Sequence, residues 1–182
     1  QQPELRNEKL ARYEKDYDIP RYDAELITGT KKMADLFEAT CAICNKPKKV
    51  SNWIMVETMR LLKENNMDPE DIRFSPVNLA KLINLADSGS ITNTVAKEVF
   101  ERIFKDDIDP EKYVEEKGLK TVNDEGALRE TVQKVLADNP QSVEDYHNGK
   151  EKAIGFLVGQ TMKAMKGKAN PALVNQILKE LL

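Results

Sequence analysis

The 182-residue sequence holds a single histidine, His147, and lacks the residue sets that most enzymes need. With one imidazole, neither a Ser–His–Asp triad nor a histidine-based metal cluster can be assembled. The glycine-rich patterns that cradle phosphates, GxxxxGK[ST] and GxGxxG, are also missing. Because His147 adjoins the turn signal Asn148-Gly149, we interpret it as a surface residue. We therefore predict no catalytic residue in this chain.

Cysteine is nearly absent too. Cys41 and Cys44 have the CxxC spacing of half a zinc site or of a redox pair, but no second pair accompanies them. They end a helical pattern instead of following a strand, so we predict that both thiols pack inside the protein without a metal. A redox or metal module built on them stays an alternative. Two cysteines without a disulfide framework indicate a reducing cytoplasm.

No long apolar run is found. None approaches the roughly 18–20 residues that span a bilayer, and no secretory signal opens the chain. Charged residues make up 32% and aromatic residues 6% of the sequence, which is typical of soluble, helix-rich proteins. These features predict a cytoplasmic protein with no membrane partner. The chain starts at Gln1 without a methionine, so we expect a fragment of a longer protein.

The alternation that strands require is missing, whereas apolar residues recur at helical spacing nearly throughout. At several predicted helix starts a capping side chain precedes proline. The side-chain oxygen accepts a hydrogen bond from a backbone N–H that has no partner within the helix, and proline suits the first helical position because it has no N–H. These starts are Asp68-Pro69, Ser75-Pro76, Asp109-Pro110 and Asn170-Pro171. The acidic run 105–110 divides the predicted helices, and few contacts are expected to cross such a linker. We predict an all-α protein with two small helical domains, residues 1–108 and 109–182.

Residues 148–171 form the most informative segment, a predicted helix that contains both glycines and lysines. Gly155 and Gly159 lie four residues apart, so a helix puts both on one face as a notch without side chains. Each interior glycine costs roughly 0.5–1 kcal/mol relative to alanine. Either a neighbouring helix packs into this notch or a nucleic-acid backbone approaches it. Lysines flank the notch at both ends of the segment: Lys150, Lys152, Lys163, Lys166 and Lys168.

The charge balance favours a polyanion as the partner of this end. From residue 141 onward there are six lysines and four acidic residues, a net charge of +2. The first 140 residues carry 22 basic and 27 acidic residues, a net charge of −5. A basic end on an acidic protein is a weak indication of nucleic-acid binding.

Two sets of motifs, in order along the chain, resemble a known family. The tail set is Asn148-Gly149-Lys150, Ala153-x-Gly155-Phe156-Leu157-Val158-Gly159-Gln160, Met162-Lys163, Lys166-Gly167-Lys168-Ala169-Asn170-Pro171 and Val174-Asn175. The earlier set is Tyr22-Asp23-Ala24, Ser51-Asn52-Trp53, Leu79-Ala80-x-Leu82-Ile83, Gly89-x-Ile91 and Ala96-Lys97-x-Val99-Phe100. Together they resemble the helical domain and the YqeY-like tail domain that end the B subunit of bacterial aspartyl/glutamyl-tRNA amidotransferases.

The resemblance implies a role in protein biosynthesis. Enzymes of that family are three-subunit ligases that convert Glu-tRNA(Gln) or Asp-tRNA(Asn) to the amidated form, with glutamine as amido donor. The resemblance places the binding site for ATP and Mg²⁺ in a cradle domain that this chain lacks, so we expect no cofactor here. The implied partners are tRNA(Gln) or tRNA(Asn) and the A and C subunits, and not DNA.

The resemblance and the charge pattern together predict the binding surface. We predict that it consists of the five flanking lysines and the two glycines of the notch. Recognition would then depend on RNA shape, through phosphates and 2′-hydroxyls. The alternative is a helical protein–protein scaffold whose notch receives a helix and which binds no RNA.

Overall fold

The computed structural model describes residues 4–182. In this range no strand occurs, and the one extended pairing is an isolated bridge between Val122 and Ala169. The all-α fold class is thus confirmed. The elements are α1 Arg6–Asp16, α2 Arg21–Ile27, α3 Lys31–Cys44, α4 Pro47–Asn52, a π-helical segment Trp53–Thr58, α5 Met59–Glu64, a 3₁₀ turn Pro69–Asp71, α6 Pro76–Asp87, α7 Asn93–Asp106, α8 Pro110–Lys117, α9 Glu125–Asp138, α10 Pro140–His147, α11 Lys152–Ala164 and α12 Pro171–Leu181.

The helices begin where the capping residues predicted. Ser75 Oγ accepts from Asn78 N at 3.3 Å, and Asp109 and Asn170 accept backbone N–H groups in the same way. Thr92 caps α7 by accepting from Val95 N at 3.2 Å. Asp68-Pro69 opens only a 3₁₀ turn. Each cap satisfies a donor that the first helical turn leaves free.

The chain folds into two compact units. The first comprises the residues up to 88 together with 96–116, and the second comprises 89–95 with 117–182. This division differs from the predicted boundary between residues 108 and 109. Helix α8 belongs to the first unit, and the short segment before α7 belongs to the second. Whether 1–108 and 109–182 fold independently stays a prediction.

The predicted linker, 105–110, is bound to the first unit instead of being free of contacts. Asp107 Oδ1 accepts hydrogen bonds from Ser75 N at 2.8 Å and Asn78 Nδ2 at 2.9 Å. Lys81 Nζ lies 2.8 Å from Asp109 Oδ2. The acidic residues that resemble a solvated linker in sequence therefore hold the end of α7 against α6.

Two aromatic clusters occupy the core of the first unit. Tyr13 packs against Tyr17 and Phe37, with ring centroids 5.4 and 5.0 Å away. Phe100 contacts Trp53 at 5.4 Å. Tilted and edge-to-face ring pairs of this kind add to the stabilisation that burial provides. The clusters join α1 to α3 and the π-helical segment to α7.

In the second unit, α9, α11 and α12 share one small core. Its buried members are Leu128, Val132, Val135, Leu157, Ala169, Val174, Ile177 and Leu178. The segment 89–95 completes this unit: Thr92 Oγ1 donates to the carbonyl oxygen of Gly167 at 2.6 Å, in a buried position. Ser90 O also accepts from Thr121 N at 2.9 Å. The core fixes which side of α11 faces solvent.

Candidate nucleic-acid interface

Helix α11 divides into a buried side and an exposed side. Leu157 and Thr161 are buried in the core, with Ile154, Val158 and Met162 packed around them. Successive helical residues are rotated by about 100°. Gly155, Gly159, Lys152, Lys163 and Phe156 consequently fall within an arc of about 100° on the opposite side. All five are exposed.

The glycines lie in open space. A Cβ added at Gly155 or at Gly159 would meet no other heavy atom within 4 Å. No helix among residues 4–182 therefore packs into the notch, and the interpretation of the glycines as an internal helix contact is wrong for this chain. By contrast, a Cβ at Gly167 would lie 2.9 Å from Thr94 Cγ2. The exposed glycines remain accessible to an external partner, whether RNA or protein.

The five predicted lysines do not share one environment. Lys150 is paired with Asp145 at 2.9 Å, and its hydrogen bond lowers the pKa of that carboxyl group. Lys168 is half-buried, and its Nζ lies 3.4 Å from the Gly118 carbonyl oxygen. Both are therefore engaged within the second unit.

The other three lysines are free. Lys152, Lys163 and Lys166 are exposed, and their ammonium groups form no ion pair or hydrogen bond with any residue in the described chain. Lys166 follows the helix in a left-handed conformation, with φ at 55°. Since α11 contains no acidic residue, these ammonium groups are available to an external anion. A lysine contributes a point charge to such a contact.

Phe156 is the residue of this surface that sequence analysis missed. Its apolar type suggests a core position, but its side chain is 49% exposed. The helical period does separate it from Leu157 and Thr161, so a helical wheel could have placed it beside Lys152. What the wheel cannot show is whether another element covers that side.

His147 lies at the surface, whereas the two cysteines are buried. His147 is exposed, and its Nε2 lies 2.7 Å from the carbonyl oxygen of Leu182. Cys41 and Cys44 are both buried free thiols, as predicted. Burial raises the pKa of Cys41 to about 12, which disfavours the reactive thiolate. Among residues 4–182 no three His, Cys, Asp or Glu side chains are grouped closely enough to hold a metal ion.

Two of the family-like motifs in the first unit contribute residues to one cleft. Asp23, Ser51 and Asn52 line a cavity of about 630 Å³ beside Ile19 and Met55. Ser51 is buried, and its Oγ lies 3.5 Å from Asp23 Oδ2. Residues far apart in sequence thus form one surface feature.

Among the described residues, every helix is too short or too polar to cross a bilayer.

Fold and surface together define a class: a helical module whose second unit exposes a basic helix face. A family model described as the GatB domain matches residues 35–182, and the chain therefore belongs to this family. The resemblance carried by the sequence motifs is confirmed.

Similar proteins include B subunits of aspartyl/glutamyl-tRNA(Asn/Gln) amidotransferase from three bacteria. The chain is 70% identical to that of Agathobacter rectalis over 181 residues, 100% of this chain and 38% of the relative. It is 61% identical to that of Lachnoclostridium phytofermentans, with the same coverage of both chains. It is 52% identical to that of a Thermoanaerobacter species over 180 residues, 99% of this chain and 38% of the relative. The chain thus spans somewhat over a third of their length and matches their C-terminal part.

Proposed function

We propose that this chain is the tRNA-binding region of an amidotransferase B subunit. The parent enzyme would convert misacylated Glu-tRNA(Gln) or Asp-tRNA(Asn) to the amidated form in the cytoplasm, as part of protein biosynthesis. The observation that carries the proposal is the exposed face of α11, where free lysines flank two open glycines. The names of the relatives supply the substrate class.

Backbone contact explains this combination of residues. Lysines neutralise phosphates, and most of the affinity for nucleic acids comes from such contacts. Gly155 and Gly159 leave the helix surface without side chains, so a sugar–phosphate backbone can lie close to the lysines. The second unit, with ten basic and eight acidic residues, also has the charge sign that RNA binding requires.

The proposal assigns binding, and no chemical step, to this chain. We expect the chain alone to hydrolyse neither ATP nor glutamine, because its sequence has no phosphate-cradling glycine loop and only one histidine.

The first unit offers a surface for the proposed A and C subunits. Helix α2 packs on the π-helical segment, and both expose large apolar side chains. These are Tyr22 and Leu26 on one side, and Val56 with the neighbouring Met59 on the other. Large apolar side chains exposed on neighbouring elements are a feature that protein–protein interfaces often show. This observation supports a protein partner for the first unit alongside RNA for the second.

Charge reversal tests the RNA surface. If about three lysines meet phosphates, affinity for tRNA should fall about 40-fold between 50 and 200 mM salt, with a log–log slope near −2.7. The Lys163→Glu/Lys166→Glu variant should weaken binding and flatten that slope, with helicity unchanged by circular dichroism. As a control, Lys134→Glu/Lys179→Glu makes the same change in net charge on α9 and α12.

The control separates a local contact from general attraction. Equal losses in both variants would mean that only net charge matters. Unchanged binding in the Lys163→Glu/Lys166→Glu variant would place the RNA surface elsewhere. Absence of any tRNA binding by the unmodified chain would favour the protein scaffold, whose partner could then occupy the glycine notch.

A further inference from the structure

Phe156 lies on the solvent-facing side of α11 and not in the core of the second unit. The core of the second unit contains Leu157, one residue further along α11, and does not contain Phe156. About half of the Phe156 side chain faces solvent. Among the described residues of the second unit, Phe156 is the one large apolar residue whose side chain is exposed. A single exposed ring needs no partner by itself, so the meaning of this one depends on its neighbours.

The neighbours of Phe156 indicate the chemistry of that partner. Lys152 lies one helical turn before it on the same face, and Lys163 lies two turns after it. Helical side chains lean toward the N-terminus, so the ring extends toward Lys152. Both lysines lack a partner in the described chain, and α11 has no carboxylate. An aromatic ring between two free cations suits a base attached to phosphates better than an apolar peptide.

We infer that Phe156 stacks on an unpaired nucleobase of the bound RNA, while Lys152 and Lys163 hold the adjoining phosphates. This inference rests on the proposed function and adds to it a preference for single-stranded nucleotides. Paired bases are stacked on each other, whereas bases splayed out of a loop present a free face to an aromatic ring. Gly155 and Gly159, beside the ring, leave room for the nucleotide's sugar.

The test compares two RNA probes and two protein variants. The probes are a tRNA(Gln) transcript and a fully paired RNA duplex with the same number of phosphates. Phe156→Leu keeps an apolar side chain and loses the ring, and Phe156→Tyr keeps the ring. Because one base–aromatic stack contributes about 1–3 kcal/mol, Phe156→Leu should weaken tRNA binding about fivefold or more.

The other expected results distinguish stacking from charge and from folding. Phe156→Leu should leave the salt slope for tRNA unchanged, because the slope counts phosphate contacts. It should also leave duplex binding unchanged, and Phe156→Tyr should restore tRNA affinity. Lys152→Glu/Lys163→Glu should instead reduce the salt slope with both probes.

Each contrary outcome identifies which statement fails. Normal tRNA affinity in Phe156→Leu, together with weakened binding in the lysine variant, would overturn stacking and leave the proposed function intact. Equal losses for tRNA and duplex in Phe156→Leu would also overturn it, since the ring would then contact the backbone or support the fold. Normal binding in the lysine variant would overturn the stacking inference by placing the RNA surface away from α11, whereas absence of tRNA binding by the unmodified chain would overturn the proposed function itself. If Phe156→Leu lowers the melting temperature, tRNA and duplex binding are compared in Phe156→Tyr and Phe156→His, which both keep a ring. Loss of the preference for tRNA over duplex in both variants would then overturn stacking.

Discussion

In the first unit, one arginine gathers several carboxylates, whereas in the second unit Lys152 and Lys163 of α11 face solvent without an ion pair in the described chain. Arg60 joins Glu57, Glu64 and Glu101, and Glu57 is buried. Lys152 and Lys163 have no such partners among residues 4–182. The difference shows that a count of charges does not locate a binding surface. The fold decides which of those charges are paired and which remain open to an external partner.

Proteolytic cleavage is the largest perturbation that tests the division of the chain into two units. Trypsin should cut the native chain first at Lys117 or Lys120, in the exposed connection between α8 and α9, and not within 105–112. The two pieces should stay together in gel filtration, because the segment 89–95 belongs to the second unit. Early cleavage near Lys105, followed by separation of the pieces, would favour the simple linker that the sequence suggests.

A core truncation should unfold the second unit alone. Leu157→Ala removes a fully buried side chain from its small core and should cost about 2–5 kcal/mol of unfolding free energy. Trp53, the single tryptophan, belongs to the first unit and reports on that unit only. Circular dichroism should therefore show an early loss of helix while the midpoint of the Trp53 fluorescence transition stays unchanged. A shared shift would mean that the units unfold cooperatively.

Arg60 in the first unit and Arg129 in the second can be compared directly, because both side chains are 36% exposed. Arg60→Ala leaves the buried Glu57 with Lys97 as its remaining cation, 3.7 Å away. That loss should cost about 1–3 kcal/mol in a urea titration followed by Trp53 fluorescence. Arg129 pairs with the exposed Glu125 and Glu180, so Arg129→Ala should cost below about 1 kcal/mol by circular dichroism. Similar costs would show that burial of Glu57 contributes little.

The smallest expected effects distinguish the glycines of the second unit. Gly155→Ala and Gly159→Ala should each stabilise it by about 0.5–1 kcal/mol, because the new methyl groups meet nothing and the helix gains propensity. Gly167→Ala should destabilise it, since φ is 72° there and the methyl group would press on Thr94. Thermal unfolding followed by circular dichroism measures all three. Destabilisation by Gly155→Ala would reveal a contact at the notch.

Local chemistry in the sequence determined the helices. Prolines and capping side chains such as Ser75 and Asn170 fix helix starts through bonds that span only three residues. Between residues 48 and 66, apolar residues recur at helical spacing, and Ile54, Leu61 and Leu62 are buried. Glu57 lies on the same side of the helix and is buried too, although its charge suggests the surface. Val56 and Met59 fall outside the period and are exposed despite their apolar type.

Tertiary structure decided which groups stay free. The sequence alone predicted five lysines and two glycines as one surface, but only packing shows that Asp145 engages Lys150 and that no helix fills the notch. The acidic run at 105–110 looks solvated until Asp107 is seen to accept hydrogen bonds from Ser75 and Asn78. Capping and periodicity act between near neighbours in sequence and can be read from it. Charge pairing and coverage depend on residues that only the fold brings together.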